Sequence, residues 1–242
     1  MRAISILRTL VVLGLLGFGA ILLYGYARAH PEDMPWTALD LGDPVGAFTG
    51  RKLAGLGGDG ADCKALLGRA GIGFTSLPPL SAGPNCGYDD AVRLKAGGAL
   101  GIAYRAADVG LSCPVAAGVA LWEWHVVQPA ALRHFGSKVA AIDHYGSYSC
   151  RRLYGRAEGG WSEHAAANAF DIAGFRLEDG TRITVIGDWK GAGPKAAFLR
   201  EVRDGACGLF ATVLSPDYNA AHRDHLHLDQ ARRGEMGWRG CS

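Results

Sequence analysis

The feature that most limits how this chain can fold is an uncharged apolar stretch near its N-terminus, residues 9–27. These 19 residues would span about 28 Å as a helix, which is close to the thickness of the hydrocarbon core of a bilayer. Arg2 and Arg8 precede the stretch, whereas Arg28 is followed within five residues by two acids. This charge bias predicts a single-pass helix in the cell inner membrane, with the C-terminal domain in the periplasm.

Two other interpretations of the stretch stay open. Ala27-Arg28-Ala29 fits the A-x-A pattern of a cleaved signal peptide, which would make the domain secreted, although the stretch exceeds the roughly 7 to 15 apolar residues usual there. A buried core helix is the other interpretation, and this length and position argue against it.

Cysteine usage agrees with export. The six cysteines are spread widely and form no C-x-x-C pair, so they indicate neither a zinc ribbon nor a thioredoxin-type site. An even number in an oxidising compartment predicts up to three disulfides, and their connectivity stays open. Six buried free thiols are the alternative. The cysteines are Cys63, Cys86, Cys113, Cys150, Cys207 and Cys241.

Composition bounds the rest of the chain. With 49% hydrophobic residues and 36 glycines, it has enough apolar residues for a core and many turns and short strands. A net charge of +2 and the lack of any basic run interleaved with aromatics argue against a nucleic-acid partner. We divide the chain into an anchor or signal segment (1–29), a proline-containing linker (30–50) and one domain (51–242).

Helices and strands alternate in the second half. Ser112 and Pro114 begin a helix with a regular apolar stripe that Pro129 interrupts, and a second helix starts near Pro194. Residues 170–177 and 181–186 read as strands of a hairpin. Trp122 and Trp124 are interpreted as core residues, with a ligand-stacking platform as the alternative. The predicted fold class is α+β, an antiparallel sheet flanked by helices.

Two short segments concentrate the chemistry. In the first, His164 and Asp171 are seven residues apart, so a shared metal requires a turn between them, because a helix or a strand would separate them too far. In the second, His225 and His227 would point to one face of a strand, while Leu226 and Leu228 point to the core. A capped turn with a surface histidine and a polar strand face are the alternatives. Together the segments offer three protein ligands, as in catalytic zinc sites.

These residues resemble two known groups of proteins. Ser162, His164, Ala169 and Asp171 match the S-x-H-x-x-G-x-A-x-D motif of the LAS superfamily, the lysostaphin-type and D-Ala-D-Ala metallopeptidases. Asp224 and His227 resemble its acid-x-x-His element. Across the exported part, the chain resembles the bacterial extensin-like C-terminal domain family. The motifs that carry this second likeness are C-G, S-Y-S-C-R at 147–151, S-E-H-A, P-D-Y-N at 216–219 and H-R-D-H-L-H-L-D.

The resemblance implies a LAS metallopeptidase-like fold and assigns roles to residues. It implies Zn²⁺ bound by His164, Asp171 and His227. It further implies that Asp224 is the general base. His225 is the second candidate, because it is expected to share a strand face with His227. Arg151 would hold a substrate carbonyl or carboxylate, and its neighbour Arg152 or a structural ion pair is the alternative. The motif's glycine is Ala167 here, which puts the geometry of the turn in question.

We therefore expect a zinc-dependent peptidase that hydrolyses peptidoglycan peptides containing D-amino acids. Two alternatives are a catalytically inactive peptidoglycan-binding module and a disulfide-stabilised structural envelope protein. Metal content separates the structural protein from the other two, and turnover separates the enzyme from the binding module.

Overall fold

The computed structural model describes residues 2–58, 60–105, 109–234 and 238–242, and it begins with a long apolar helix, α1 (Arg2–Ala29). Within α1, Ile4–Ala29 is long and apolar enough to cross a membrane by length and composition, and its most apolar window has no buried residue. The helix therefore fits a membrane anchor or a signal sequence, and it is not a core helix.

The predicted linker, residues 30–50, contacts the domain that follows. Leu41 is 2% exposed and belongs to the hydrophobic core. Asp33 Oδ1 accepts a hydrogen bond from the Ala47 backbone, and Lys52 Nζ donates to the Pro31 carbonyl. This segment is thus folded back on the domain, because its few apolar residues find a buried surface there.

A seven-stranded sheet forms the centre of the domain, in the order β11-β9-β10-β7-β6-β5, with β8 paired to β7. Most neighbours are antiparallel, as predicted, but β5 pairs with β6 and β11 pairs with β9 in parallel. The sheet is therefore mixed at its two edges. The strands are β1 (Ile72–Ser76), β2 (Leu80–Ser81), β3 (Gly87–Tyr88), β4 (Val92–Gly98), β5 (Ala103–Arg105), β6 (Val139–Gly146), β7 (Ala169–Leu177), β8 (Arg182–Thr184), β9 (Thr212–Leu214), β10 (Leu226–Asp229) and β11 (Gly240–Cys241).

Helices cover the sheet and supply much of the core. Their bounds are α2 (Thr49–Gly55), α3 (Gly60–Arg69), α4 (Cys113–Trp122), α5 (Gln128–Phe135), α6 (Val185–Asp188) and α7 (Pro194–Ala206). All ten residues of α4 are buried, and Trp122 Nε1 donates to the Val202 carbonyl of α7 at 2.8 Å. Trp124 Nε1 donates to the Ala99 carbonyl. Both tryptophans are structural, as their spacing predicted.

Two element boundaries differ from the prediction. Pro129 does not end the helical segment, because a π-helical turn, Glu123–Val127, joins α4 to α5 and places Pro129 in the first turn of α5. The hairpin's second strand ends at Thr184 instead of residue 186. There the Thr184 side chain accepts from the Gly187 backbone and caps α6, so capping replaces strand pairing.

All six cysteines are paired. The disulfides are Cys63–Cys113, Cys86–Cys150 and Cys207–Cys241. They confirm the predicted oxidised state and select one connectivity among those that the sequence left open. Three disulfides indicate a domain that folds outside the cytoplasm.

Candidate metal centre

The register between β7 and β10 brings two of the three predicted ligands together. Asp171 and His227 are directly opposite each other in the antiparallel pair, and His227 Nδ1 lies 2.9 Å from Asp171 Oδ1. Leu226 and Leu228 alternate with His227 and are fully buried, as the alternation predicted. One face of β10 therefore packs in the core while the other presents an imidazole.

His164 reaches the same point from a 3₁₀ turn, Glu163–Ala166, that precedes β7. The Ser162 hydroxyl accepts from the His164 backbone N–H and begins the turn. His164 Nε2 lies 3.2 Å from Asp171 Oδ2 and 3.2 Å from His227 Nδ1. The turn thus brings His164 and Asp171 close enough to share a metal ion, as their seven-residue spacing required.

Ala167, at the motif's glycine position, adopts the left-handed conformation with φ of 53°. Its carbonyl accepts hydrogen bonds from the Ser112 backbone and the Ser147 hydroxyl, which hold the turn in place. The turn therefore forms with alanine, at the cost of a conformation that glycine adopts more readily.

Acceptors behind the two imidazoles fix which nitrogen faces the centre. The Ser147 carbonyl lies 2.5 Å from His164 Nδ1, and a carbonyl can only accept, so Nδ1 donates and Nε2 of a neutral ring carries a lone pair. Asp229 Oδ2 lies 3.0 Å from His227 Nε2 and has the same effect on that ring. Such partners are typical of metal-binding histidines.

The donor set fits zinc. Imidazole and carboxylate ligands at about 2.0–2.1 Å in a tetrahedron lie roughly 3.3 Å from one another, and the three distances here are 2.9, 3.2 and 3.2 Å. All three residues are buried and their ligand atoms lie within 4.8 Å of one another. Three protein ligands leave a fourth position for a water or a substrate atom.

A second described group, His30, Glu32 and Asp33, also brings three such atoms within 4.8 Å. Asp33 is engaged there by the Tyr26 hydroxyl and the Ala47 backbone, so the group has a structural explanation. We therefore assign the candidate metal centre to His164, Asp171 and His227.

The charges of the centre are mutually dependent. Burial opposes ionisation of Asp171, but the close contacts of its carboxylate with His164 and His227 hold the pKa of that carboxyl well below the usual range. Burial likewise opposes charge on His227, yet its hydrogen bonds to Asp171 and Asp229 raise its pKa to about 9. Without a metal, His227 is therefore an imidazolium between two carboxylates, and a bound cation would replace its proton.

His225 and Asp224 form a pair beside the centre. Asp224 Oδ1 lies 2.9 Å from His225 Nδ1, while His225 Nε2 lies 3.6 Å from Asp171 Oδ1. His225 precedes β10, so it does not share a strand face with His227 as predicted, although its ring lies beside the same carboxylate. It also lines the cleft, whereas Asp224 is not among the described lining residues.

The centre opens into a cleft with a volume of about 730 Å³. Arg151 lines it, and the arginine next to it, Arg152, instead places its guanidinium 4.6 Å from the Trp161 ring centroid. Of the two candidates for substrate binding, Arg151 is therefore the one that a ligand in the cleft can reach.

His222 is a cleft residue to which the sequence analysis assigned no role. Asn219 Oδ1 accepts from the Ala221 backbone and lies 2.8 Å from His222 Nδ1, so Nδ1 donates and Nε2 carries the lone pair. Burial, with repulsion from His225 and His227, lowers the pKa of His222 to about 4. In the sequence, His222 is marked only by its place in the histidine-rich segment, and that place does not distinguish a cleft residue from a metal ligand. Asp229 lies in the same segment and was missed for the same reason, whereas Ser147 was missed because it acts through its backbone carbonyl, which residue type does not reveal.

Fold and site define a disulfide-linked α+β domain with a buried His/Asp cluster at the base of a cleft. The chain belongs to the family described as extensin-like protein C-terminus, whose model matches residues 61–242. A comparison with curated proteins and a comparison with solved structures each gave no significant match.

Proposed function

We propose that this protein is a zinc-dependent peptidase that hydrolyses peptidoglycan peptides containing D-amino acids in the cell envelope. One observation carries the proposal: His164 Nε2, His227 Nδ1 and a carboxylate oxygen of Asp171 converge, and each ring is oriented by an acceptor on its far side. The match of these residues to the LAS metallopeptidase motif supports both the reaction class and a LAS-like fold.

Zn²⁺ at this centre would act as a Lewis acid that activates a water molecule and polarises a peptide carbonyl. His225 is suited to receive the proton of that water, because its Nε2 faces the centre at Asp171 Oδ1. Asp224 accepts from His225 Nδ1 and thereby keeps the lone pair on Nε2. Asp224 itself, by its likeness to the superfamily's acid, is the second candidate for the base.

Arg151 lines the cleft together with the histidines and supplies it with a positive charge. We assign it to a carbonyl or carboxylate of the peptide, because a guanidinium matches both acceptors.

The location of the substrate agrees with that of the domain. An N-terminal helix able to span a membrane, together with three disulfides, supports a domain held at the inner membrane and facing the periplasm, where peptidoglycan lies.

The test uses full-length protein purified from membranes with its metal, incubated with cross-linked peptidoglycan peptide dimers and with D-Ala-terminated peptides. Mass spectrometry of the products is expected to show cleavage by wild type and by His125→Ala, an exposed histidine outside the cleft, and none by His227→Ala. If metal-loaded protein binds these peptides and releases no product, the domain is a binding module. If the purified protein holds no metal, the domain is a structural one.

A further inference from the structure

Four arginines gather around a second, smaller cavity of about 230 Å³. We call it the arginine pocket, and its charged and aromatic lining residues are Arg51, Arg232, Arg233, Arg239 and Trp238. None of the described residues that line it is acidic. Guanidinium groups clustered around one small cavity create a positive potential that attracts an anion, and Arg232, Arg233 and Arg239 carry the argument here.

Neutral oxygens hold three of these arginines in place. Arg232 donates to the Gly57 carbonyl at 2.9 Å, Arg233 to the Thr212 hydroxyl at 2.6 Å and Arg239 to the Gly208 carbonyl at 3.0 Å. Each contact uses one of the five N–H donors of a guanidinium. These bonds therefore orient the side chains and leave donors for a ligand.

One wall of the pocket, α2, is bonded to the segment that follows α1. The Tyr26 hydroxyl of α1 donates to Asp33 Oδ2 at 2.6 Å, and Asp33 Oδ1 accepts from the Ala47 backbone at 2.8 Å. Lys52 of α2 donates to the Pro31 carbonyl. These bonds hold α2, which lines the pocket, directly against the segment that leaves the membrane helix.

Gly50 of α2 allows the closest approach to the pocket's arginines. A Cβ at Gly50 would lie 1.6 Å from Arg239 Nη2, so only glycine lets this guanidinium pack against the helix. The arrangement joins the C-terminal part of the chain, which supplies Arg239, to its membrane-proximal part.

One exposed tryptophan lines the pocket, and another follows α1 closely in the sequence. Trp238 lines the pocket and is 73% exposed, and Trp36, seven residues after the end of α1 at Ala29, is 76% exposed. Exposed tryptophans are enriched where a protein meets the interface of a bilayer, because the indole ring is apolar and its N–H is polar.

We propose that the arginine pocket binds the phosphate headgroup of an anionic phospholipid in the membrane that α1 enters. Arginine suits the ligand because its planar donors match phosphate oxygens in pairs. The bonding of α2 to the segment that follows α1 brings the pocket to the level of the headgroups, and Trp238 lies at the interface. The domain is then held by α1 and by a lipid, which restricts its orientation on the membrane.

The experiment titrates full-length protein in neutral detergent with dioctanoylphosphatidylglycerol, with dioctanoylphosphatidylcholine and with inorganic phosphate, and measures binding by native mass spectrometry. The anionic lipid is expected to bind at least about fivefold more tightly than the zwitterionic one, since each arginine near an anionic surface contributes roughly 1 kcal/mol. Arg232→Gln and Arg239→Gln are each expected to lose about fivefold in affinity for the anionic lipid. Arg182→Gln, an exposed arginine that does not line the pocket, is the matched control.

Three results would overturn the proposal. One is equal affinity for the two lipids, and another is unchanged lipid affinity in the folded Arg232→Gln variant. The third is phosphate binding that displaces the anionic lipid at equal concentration, which would make the pocket a site for a soluble phosphate. Because Arg232 is exposed, Arg232→Gln is expected to fold, and its lipid affinity tests the proposal even if Arg239→Gln fails to fold.

Discussion

His164 Nε2 and His227 Nδ1 face each other at 3.2 Å, although the residues are 63 positions apart. Each ring donates its other N–H to an acceptor, the Ser147 carbonyl or Asp229. Two lone pairs and the Asp171 carboxylate cannot share this space without a cation between them. The cation is either the proton on His227 or a metal ion.

The first prediction concerns metal content. Full-length protein is expected to hold about one zinc ion, and His227→Ala to hold none, because two ligands are too few for a stable site. Asp229→Asn should weaken zinc affinity by roughly 10- to 100-fold, as loss of an orienting partner does. Elemental analysis and competition with a chelator measure both.

The matched control for metal content is His30→Ala, which removes a histidine from the other His/carboxylate group. It should retain the zinc. Loss of zinc in His30→Ala and its retention in His227→Ala would place the metal in the group of His30, Glu32 and Asp33 and contradict the assignment made above.

The second prediction separates the roles of His225 and Asp224. If His225 Nε2 receives the proton, His225→Ala should lower kcat by about 10²- to 10⁴-fold with zinc retained. Asp224→Asn should lower it by a smaller factor, about 10- to 100-fold, because it acts through the ring. Steady-state kinetics on metal-loaded variants measures the difference. A larger loss in Asp224→Asn than in His225→Ala would make Asp224 the base.

The third prediction concerns the turn at Ala167, which is buried and has φ of 53°. Ala167→Gly should change the free energy of unfolding by less than about 1 kcal/mol, since relief of the left-handed backbone offsets the flexibility of glycine. Ala167→Val should cost at least about 2 kcal/mol, because a β-branched residue is both strained and too large there.

Urea unfolding of both Ala167 variants provides the measurement. Equal stability of the valine and glycine variants would mean that the turn does not depend on this backbone conformation.

The fourth prediction concerns pH. Glu123 Oε1 accepts from the Gly101 and Ile102 backbones, and burial raises the pKa of the carboxyl above its usual 4.5. The folded state thus holds this proton more tightly than the unfolded state. The resulting stabilisation is present below pH 4.5 and is lost as pH rises through the folded-state pKa.

Glu123→Gln, which keeps an acceptor oxygen and removes the charge, should therefore gain stability relative to wild type between pH 4.5 and pH 8. Unfolding in urea at the two pH values measures this gain. Glu158→Gln, at an exposed glutamate, controls for the change in net charge. A difference from wild type that is the same at both pH values would contradict the prediction.

Local patterns predicted the elements that local physics controls. Alternation of Leu226 and Leu228 with His227 predicted a strand with one buried face, and Pro194 predicted the start of α7. The π-helical turn before Pro129 escaped prediction, because the backbone there adapts to surroundings supplied by other elements. The parallel edge strands also escaped, since strand pairing is set by long connections and not by residue pattern.

The amino-acid sequence by itself determined the apolar N-terminal span, the even number of cysteines and the residue types of the candidate metal centre. Only the tertiary structure decided that Asp171 is opposite His227, that Ser147 and Asp229 orient the two rings, and that His225 faces the centre. The physical reason is that composition and alternation act over a few residues. The direction of a lone pair depends on an acceptor that a distant part of the chain supplies.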